Sequence, residues 1–147
     1  MKSAFAIVAL IAFSSFNGER EIANWTYSFS QAPKEGSVVD LIFTATIKKN
    51  WYVYSSDLSI DIGPIPTQVE LTPDPSYVLE GRLVPQSPLK KIDKVWGTQV
   101  TYFAQKAELR QAIKIIKSNP TIKGILSGQY CSTTDGQCIP FKDEFQF

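Results

Sequence analysis

Apolar and polar residues alternate with a period of two along much of the chain after residue 24. Trp25, Tyr27 and Phe29 alternate with small polar residues, and the run 38–47 is rich in β-branched side chains. Clusters of proline, glycine, lysine and asparagine separate these short runs. Such alternation is typical of strands with one buried face. Many short strands between turn residues predict an all-β sandwich or barrel.

Further strands are predicted elsewhere in the chain, and one segment is predicted to be irregular. Further strands are expected at 51–54, 60–62, 69–71 and 95–103, where β-branched and aromatic residues are concentrated. Arg82–Lys94 contains two prolines and three lysines, and it is expected to be the least regular part.

The segment Lys106–Lys117 fits two kinds of secondary structure. Its Ala, Glu, Leu, Arg and Lys residues favour a helix. The apolar residues also fit a period of two, with Gln111 as the exception: Ala107, Leu109, Ile113 and Ile115. We predict a strand here, because every neighbouring segment is a strand and a lone helix would need its own apolar face covered.

The two cysteines of the chain, Cys131 and Cys138, lie close together near the C-terminus. Six residues separate them, and Asp135-Gly136 within this gap is typical of a β-hairpin turn. A strand over 122–130 and a closing strand through the phenylalanines after Cys138 would bring the sulfurs opposite each other, at the roughly 5.5–6 Å Cα spacing of a disulfide. A loop of eight residues gives about 2.5 kcal/mol of stabilisation. The pair is therefore either a modest structural bridge or an exchangeable redox pair.

Composition narrows the function further. The chain has 147 residues, which is the length of one domain, and its net charge of +1 indicates neither a nucleic-acid surface nor a polybasic membrane patch. It contains no histidine, which removes the usual general base and the commonest metal ligand. We therefore expect no metal, no cofactor and no nucleic-acid partner.

The first residues are typical of an export signal. Lys2 supplies a positive charge, residues 3–13 are an apolar run too short to span a bilayer, and small residues follow up to Gly18. A buried first strand or a membrane anchor is the alternative. We predict a signal peptide over 1–18 and one exported, periplasmic domain over 19–147, where disulfides persist.

Three motifs in order carry a family resemblance: Trp51-Tyr52-Val53-Tyr54, Asp93-Lys94-Val95-Trp96-Gly97, and Tyr130-Cys131 through Cys138-Ile139-Pro140. Together they resemble the N-terminal periplasmic domain of the DsbD thiol:disulfide interchange protein family. That family has an aromatic-rich strand, an acidic loop, and two cysteines five residues apart that are followed by an aromatic residue and prolines. The resemblance covers about residues 24–147. It implies an immunoglobulin-like β-sandwich that acts in thiol–disulfide exchange.

The resemblance also implies roles for individual residues. Cys131 and Cys138 would be the redox pair, with Cys138 attacking a partner's disulfide and Cys131 resolving the mixed disulfide. Asp93 matches a loop carboxylate that lies near the sulfurs and handles protons. Tyr52 and Tyr54 match aromatic residues beside the pair.

The loop differs from the family pattern at several positions. Lys94 replaces a second acid, and a cation near a thiol lowers its pKa. Val95 stands where the family has the phenylalanine of a cap loop that covers the cysteines, so Trp96 would have to supply part of this shielding. The gap between the cysteines is six residues rather than five.

The partners implied by the resemblance are thioredoxin-like redox proteins, such as disulfide isomerases and cytochrome maturation factors, and a membrane-embedded electron donor. The chain carries neither membrane helices nor a thioredoxin-like part, so if it is complete its reductant must be a separate protein, and a carrier is expected. We also expect a monomer. One alternative is a secreted binding module with a structural disulfide and a ligand surface of aromatic residues: Trp51, Tyr52, Tyr54 and Trp96. Another is an assembly protein that captures its partner by strand addition at an exposed sheet edge.

Overall fold

A computed structural model describes residues 22–59, 61 and 63–147. The predicted signal peptide over 1–18 lies outside the described residues, and so do Ile60 and Ile62 of the predicted strand 60–62. The described residues form strands and turns, and no helix long and apolar enough to cross a membrane is found among them.

Ten strands occur within this part of the chain: β1 Ala23–Phe29, β2 Val38–Ile47, β3 Trp51–Tyr54, β4 Gln68–Leu71, β5 Tyr77–Pro85, β6 Leu89–Asp93, β7 Thr98–Ala104, β8 Lys106–Ile115, β9 Lys123–Ser132 and β10 Cys138–Gln146. A four-stranded sheet has the order β1-β2-β8-β5. A six-stranded sheet has the order β10-β9-β3-β7-β6, and β4 also pairs with β9. All pairs are antiparallel, and the two sheets form an immunoglobulin-like sandwich.

The main core lies between the two sheets. Alternate residues of β2 and β8 point into it, and Leu41, Phe43 and Leu109 are fully buried there. Phe145 of β10 meets Phe43 edge-on, with ring centroids 5.0 Å apart. The inward residues of β9, such as Leu126, complete this core from the six-stranded sheet.

The prediction of a strand over Lys106–Lys117 is confirmed by β8. Gln111 keeps the period of two, because its side chain is buried like its apolar neighbours on either side. A bulge in β5 between Glu80 and Val84 interrupts the pairing with β8 at this point. The Gln111 amide donates to the carbonyl oxygens of Ala112, Glu80 and Gly81 at 3.0, 3.4 and 3.5 Å, so the buried polar group is paired.

The prediction of an irregular segment over Arg82–Lys94 is wrong. β5 runs to Pro85, and β6 occupies Leu89–Asp93. Both are edge strands, so several of their apolar residues are exposed and the alternation that identifies a strand is lost. Proline is tolerated at such edges because no ladder hydrogen bond is sacrificed. The strand expected over 95–103 begins later, at Thr98, after a turn.

Replacing Gly124 with alanine should destabilise the domain, because β9 passes very close to β4 and β10 there. An added Cβ would contact the Glu70 carbonyl oxygen and lie 2.7 Å from the Phe145 ring. We expect Gly124→Ala to lower the free energy of unfolding by about 3 kcal/mol, measured by urea denaturation. In Gly128→Ala, the nearest atom would be the movable Phe141 ring at 3.0 Å, so the loss should be smaller. Equal losses would contradict this packing account.

Candidate functional site: a hairpin disulfide on an aromatic sheet face

The β9–β10 hairpin holds the two cysteines directly opposite each other. Cys131 pairs with Cys138 in the ladder, and the two form a disulfide. Their Cα atoms are 4.1 Å apart, which is closer than the spacing expected from sequence. The Ser132 N–H donates to the Gln137 carbonyl at 2.8 Å. The cysteines therefore occupy the adjacent non-hydrogen-bonded position, where facing Cα atoms lie roughly 4.5 Å apart.

The turn between the cysteines is stabilised by its own residues. Gly136 has a φ of 72°, as expected for glycine in a hairpin turn. The Asp135 carboxylate accepts a hydrogen bond from the Gln137 N–H at 3.0 Å. This bond and a further one from the Ser132 hydroxyl lower the pKa of Asp135 below its usual value. These local bonds define the turn.

The disulfide lies on the outer face of the six-stranded sheet. Tyr130 points the other way, into the main core, where its hydroxyl accepts a hydrogen bond from Trp25 Nε1 at 2.7 Å. Successive residues of a strand point to opposite faces, so Cys131 must point outward. There it belongs to a second apolar cluster, here called the outer cluster: Tyr54, Val100 and Cys131, with Tyr52, Leu58 and Tyr102 packed against them.

The two sulfur-bearing residues differ in accessibility. Cys131 is 1% exposed, because the outer cluster covers it. Cys138, on the edge strand β10, is exposed. Only one half of the bridge is therefore presented to solvent.

A chain of polar groups leads from the disulfide across the sheet. Tyr52 is the direct ladder partner of Cys131 on β3. The Tyr52 and Tyr54 hydroxyl oxygens are 3.3 Å apart, and the Tyr54 hydroxyl donates to Asp93 Oδ2 at 2.8 Å. The rings of the two tyrosines meet edge-on with centroids 5.3 Å apart. Asp93, Tyr54, Tyr52 and the cysteine pair thus share one face of one sheet.

Asp93 is a buried carboxylate with several hydrogen-bond donors. It is 6% exposed, and Oδ1 accepts from the N–H groups of Val95 and Trp96 at 2.9 and 3.4 Å. Burial by itself would raise its pKa. The hydrogen bonds from Tyr54, Val95 and Trp96 and the charge of Lys91 together outweigh burial, and the pKa of Asp93 lies below its usual value. Asp93 is therefore ionised at neutral pH.

The environment of Tyr54 has the opposite effect on its own ionisation. Burial raises the pKa of the Tyr54 phenol, and its interactions with Tyr52 and Asp93 raise it further. Tyr54 thus remains protonated and serves as the donor to Asp93.

Val95 and Trp96, in the turn after β6, are exposed and do not belong to the outer cluster that covers Cys131. Val95 is 86% exposed and Trp96 is 45% exposed, although their backbone N–H groups are bound to Asp93. Gly97 ends this turn with a φ of 65° and donates its N–H to the Asp93 carbonyl at 2.8 Å. Of the residues singled out from sequence, the structure brings together Cys131, Cys138, Tyr52, Tyr54 and Asp93, and it leaves Val95 and Trp96 exposed beside them.

Sequence reasoning missed Lys91 and Tyr102. Lys91 Nζ lies 3.6 Å from the centroid of the Tyr52 ring and 4.9 Å from that of Tyr102. Had 89–93 been recognised as a strand, its period of two would have placed Lys91 on the same face as Asp93. Among the residues that the structure describes, no group of acidic, cysteine and histidine side chains is arranged to hold a metal ion.

The profile of the family described as "Thiol:disulfide interchange protein DsbD, N-terminal" matches residues 22–147. The chain belongs to this family. No curated protein matches the sequence. Membership in the DsbD N-terminal family, together with the disulfide between Cys131 and Cys138, supports thiol–disulfide exchange as the activity of the domain.

Solved structures with the same fold include two of the DsbD N-terminal domain from Neisseria meningitidis. The reduced form has 21% sequence identity and a TM-score of 0.53, with 84% of this chain and 83% of that chain covered. Its complex with the PilB N-terminal domain has 18% identity and a TM-score of 0.51, with 83% and 80% covered.

A third solved structure of this fold is the N-terminal periplasmic domain of ScsB from Proteus mirabilis. It has 13% identity and a TM-score of 0.64, with 88% of this chain covered. The chain spans 47% of the length of that domain. At these identities the three likenesses show the fold alone.

Removing the Asp93 charge should destabilise the domain in a pH-dependent manner. The native pKa is lowered, so the stabilisation is present above the unfolded-state pKa of about 4 and is lost as the pH falls through the native pKa. We expect Asp93→Asn to lower the free energy of unfolding by about 2 kcal/mol at pH 7, and by less at pH 3.

Urea denaturation at the two pH values measures this difference. Glu70→Gln, which removes an exposed carboxylate from β4, serves as the control and should change little. A loss in Asp93→Asn that is the same at both pH values would exclude a role for the Asp93 charge.

Proposed function

We propose that residues 19–147 form a thiol–disulfide exchange domain that passes reducing equivalents to partner proteins through Cys131 and Cys138. The observation that carries this proposal is the unequal exposure of the two cysteines. Cys138 is open to solvent on an edge strand, whereas Cys131 is buried beneath aromatic side chains. This asymmetry supports the division of roles that the family resemblance implies.

The chemistry follows from that asymmetry. In the reduced domain, the Cys138 thiolate attacks one sulfur of a partner's disulfide, and the partner's other sulfur leaves as a thiolate. Cys131 then attacks the Cys138 sulfur, the mixed disulfide breaks, and the Cys131–Cys138 bond forms. Two electrons pass to the partner, whose two sulfurs end as thiols after protonation by solvent. An electron donor must then reduce the domain again.

The hairpin supports both states of the pair. β9 and β10 are paired at nine positions from Cys131↔Cys138 to Lys123↔Gln146. The backbone ladder therefore keeps the two cysteines facing each other after the S–S bond has opened. Opening an eight-residue loop costs about 2.5 kcal/mol, which is less than opening a long loop would cost, since short loops contribute less chain entropy.

We assign Asp93 the role of positioning the tyrosines beside Cys131. Its ionised carboxylate accepts from the Tyr54 hydroxyl, and Tyr54 contacts Tyr52. Because the pKa of Asp93 is lowered, it serves as a charged acceptor and not as a proton donor at neutral pH. Val95 and Trp96, held by the same carboxylate at the rim, are proposed contacts for the partner.

We further propose thioredoxin-like redox proteins as partners and a membrane-embedded protein as the electron donor. The DsbD N-terminal domain of Neisseria meningitidis forms a complex with the PilB N-terminal domain, which supports a protein partner here. A periplasmic location is proposed from the apolar run at residues 3–13 and from the ScsB domain, which is described as periplasmic.

The proposed roles of the two cysteines predict which single variant will capture partners. In Cys131→Ser, the exposed Cys138 attacks a partner but no thiol resolves the mixed disulfide. We expect this variant, expressed in an exporting cell, to accumulate disulfide-linked thioredoxin-fold proteins that mass spectrometry identifies. Cys138→Ser leaves only the buried Cys131 and should capture at least about tenfold less, because reaction requires access to the thiol. No capture by Cys131→Ser, or equal capture by both, would contradict the proposal.

The reduction potential distinguishes exchange from a purely structural bridge. Structural disulfides of exported proteins have potentials below about −300 mV, whereas exchangeable ones lie higher. We expect the Cys131–Cys138 pair to lie above that value when it is equilibrated with glutathione or dithiothreitol buffers. A lower potential would favour the binding module with a structural disulfide. That alternative needs Trp51, Tyr52, Tyr54 and Trp96 to form one ligand surface. Trp51, however, packs against the main core, whereas Tyr52 belongs to the outer cluster.

A further inference from the structure

A single lysine on β6 lies over the aromatic rings beside the disulfide. Lys91 Nζ is 3.6, 4.9 and 5.8 Å from the ring centroids of Tyr52, Tyr102 and Tyr54. Aromatic faces attract an ammonium group through their quadrupoles. The three rings therefore hold the positive charge of Lys91 over the outer cluster.

The charge of Lys91 is not cancelled by a direct ion pair. Both ion pairs within 4.0 Å among the described residues involve Arg110, on the other sheet. Asp93 lies two residues away on the same face of β6, and Lys91 contributes to its lowered pKa. Asp93 itself is bound to Tyr54 and to two backbone N–H groups. Lys91 thus remains available to a second negative charge on this face.

When the disulfide is opened and the Cys131 thiol loses its proton, the resulting thiolate is a negative charge next to Tyr52. Tyr52 and Cys131 face each other in the ladder between β3 and β9, so their side chains lie on the same side of the sheet. The Lys91 ammonium lies over the Tyr52 ring, and Cys131 is the ladder partner of Tyr52 on β9. Attraction between an ammonium and a thiolate across this partly buried region is screened less than it would be in bulk water.

We propose that Lys91 stabilises the thiolate of Cys131 and so promotes resolution of the mixed disulfide with a partner. This inference rests on the proposed function and names a further positioning residue for it. In the mixed disulfide, Cys131 loses its proton to solvent and its thiolate attacks the Cys138 sulfur. The bond between Cys138 and the partner breaks, and the partner leaves as a thiolate with the electron pair. Lys91 increases the fraction of Cys131 that is ready to attack.

Two neighbouring lysines provide matched controls. Lys94 is the cation that the sequence suggested, yet it is exposed in the turn after β6. Lys90 is exposed and pairs with Thr101, on the opposite face from Lys91. All three variants lose one positive charge, but only Lys91→Met removes the charge held over the rings. Methionine retains much of the unbranched lysine stem, and Lys91→Arg restores the charge.

The other ionisable groups on this sheet face or in the adjoining turn are kept in these variants: Tyr52, Tyr54, Tyr102, Asp93, Asp135 of the turn, and Lys142 and Glu144, which lie on the same side of β10 as Cys138. The negative charge of Asp93 disfavours a thiolate at Cys131, and the positive charge of Lys91 offsets this repulsion. The variants therefore change one member of this set at a time.

The test uses the reduced chain and the aromatic disulfide dithiobis(nitrobenzoate), whose released thiolate is coloured. Attack by Cys138 releases one coloured thiolate, and resolution by Cys131 releases the second. The pH dependence of the second phase reports the apparent pKa of Cys131. We expect Lys91→Met to raise this midpoint by about half a pH unit. At pH values below the midpoint, the second phase should then be about threefold slower than in the parent protein. Lys91→Arg, Lys90→Met and Lys94→Met should retain the parent midpoint.

The outcomes separate this inference from the proposed function. A parent protein without a second phase, in which Cys131→Ser gives the same trace, would contradict the proposed exchange itself. A normal second phase whose midpoint is unchanged in Lys91→Met would overturn the role of Lys91 alone. An equal shift in Lys94→Met would also overturn it, because a general loss of charge would then explain the effect. The free energy of unfolding of each variant shows whether a structural change accompanies the shift.

Discussion

The register of β9 against its neighbours β10 and β3 is the constraint on which the site depends. β9 pairs with β10 on one side and with β3 on the other, and its inward residues fill the core between the sheets. Because the side chains of a strand alternate, burying Tyr130 in that core forces Cys131 outward. A shift of one residue would place the cysteine in the main core and Tyr130 on the surface. The hydrogen bond from Trp25 to Tyr130 and the stacking of Tyr130 on Phe141, with centroids 4.2 Å apart, favour the observed register.

The interior strands are predictable from this sequence, and so are the edge strands β1 and β10 with their alternating aromatic residues, but the edge strands β5 and β6 are not. β2 and β8 are buried on one face along ten residues each, so their alternation is plain in the sequence. β5 and β6 lie at the edges of the two sheets and expose apolar residues, so the same test failed there. The cysteines, Asp93 and the tyrosines were found through a resemblance of motifs. That they meet on one sheet face follows from the strand order, which no local pattern in the sequence reveals.

Lys91 illustrates the same limit at the level of single residues. In the sequence it is one of three lysines in a segment without clear alternation. Its position depends on the pairing of β6 with β7, which sets Lys91 opposite Val100 and Asp93 opposite Thr98. That pairing brings the cation over rings from β3 and β7. Lys94, which belongs to the motif over 93–97, lies in a turn and is exposed. Membership of a sequence motif is therefore a poor guide to which cation lies over the rings beside the disulfide.

The charges on the outer face explain why a buried cysteine and an ionised acid can occupy the same site. A thiolate near Asp93 would be disfavoured by the carboxylate, and burial of Cys131 would disfavour it further. The Asp93 carboxylate is directed toward Tyr54 and the turn of Val95 and Trp96, which donate to it. The ammonium of Lys91 lies over the rings of Tyr52 and Tyr54, whose strand β3 stands between the strand of Asp93 and the strands of the cysteines. Carboxylate, ammonium, phenols and sulfurs thus share one face of a single sheet, and the two charged groups each lie beside groups that moderate their charge.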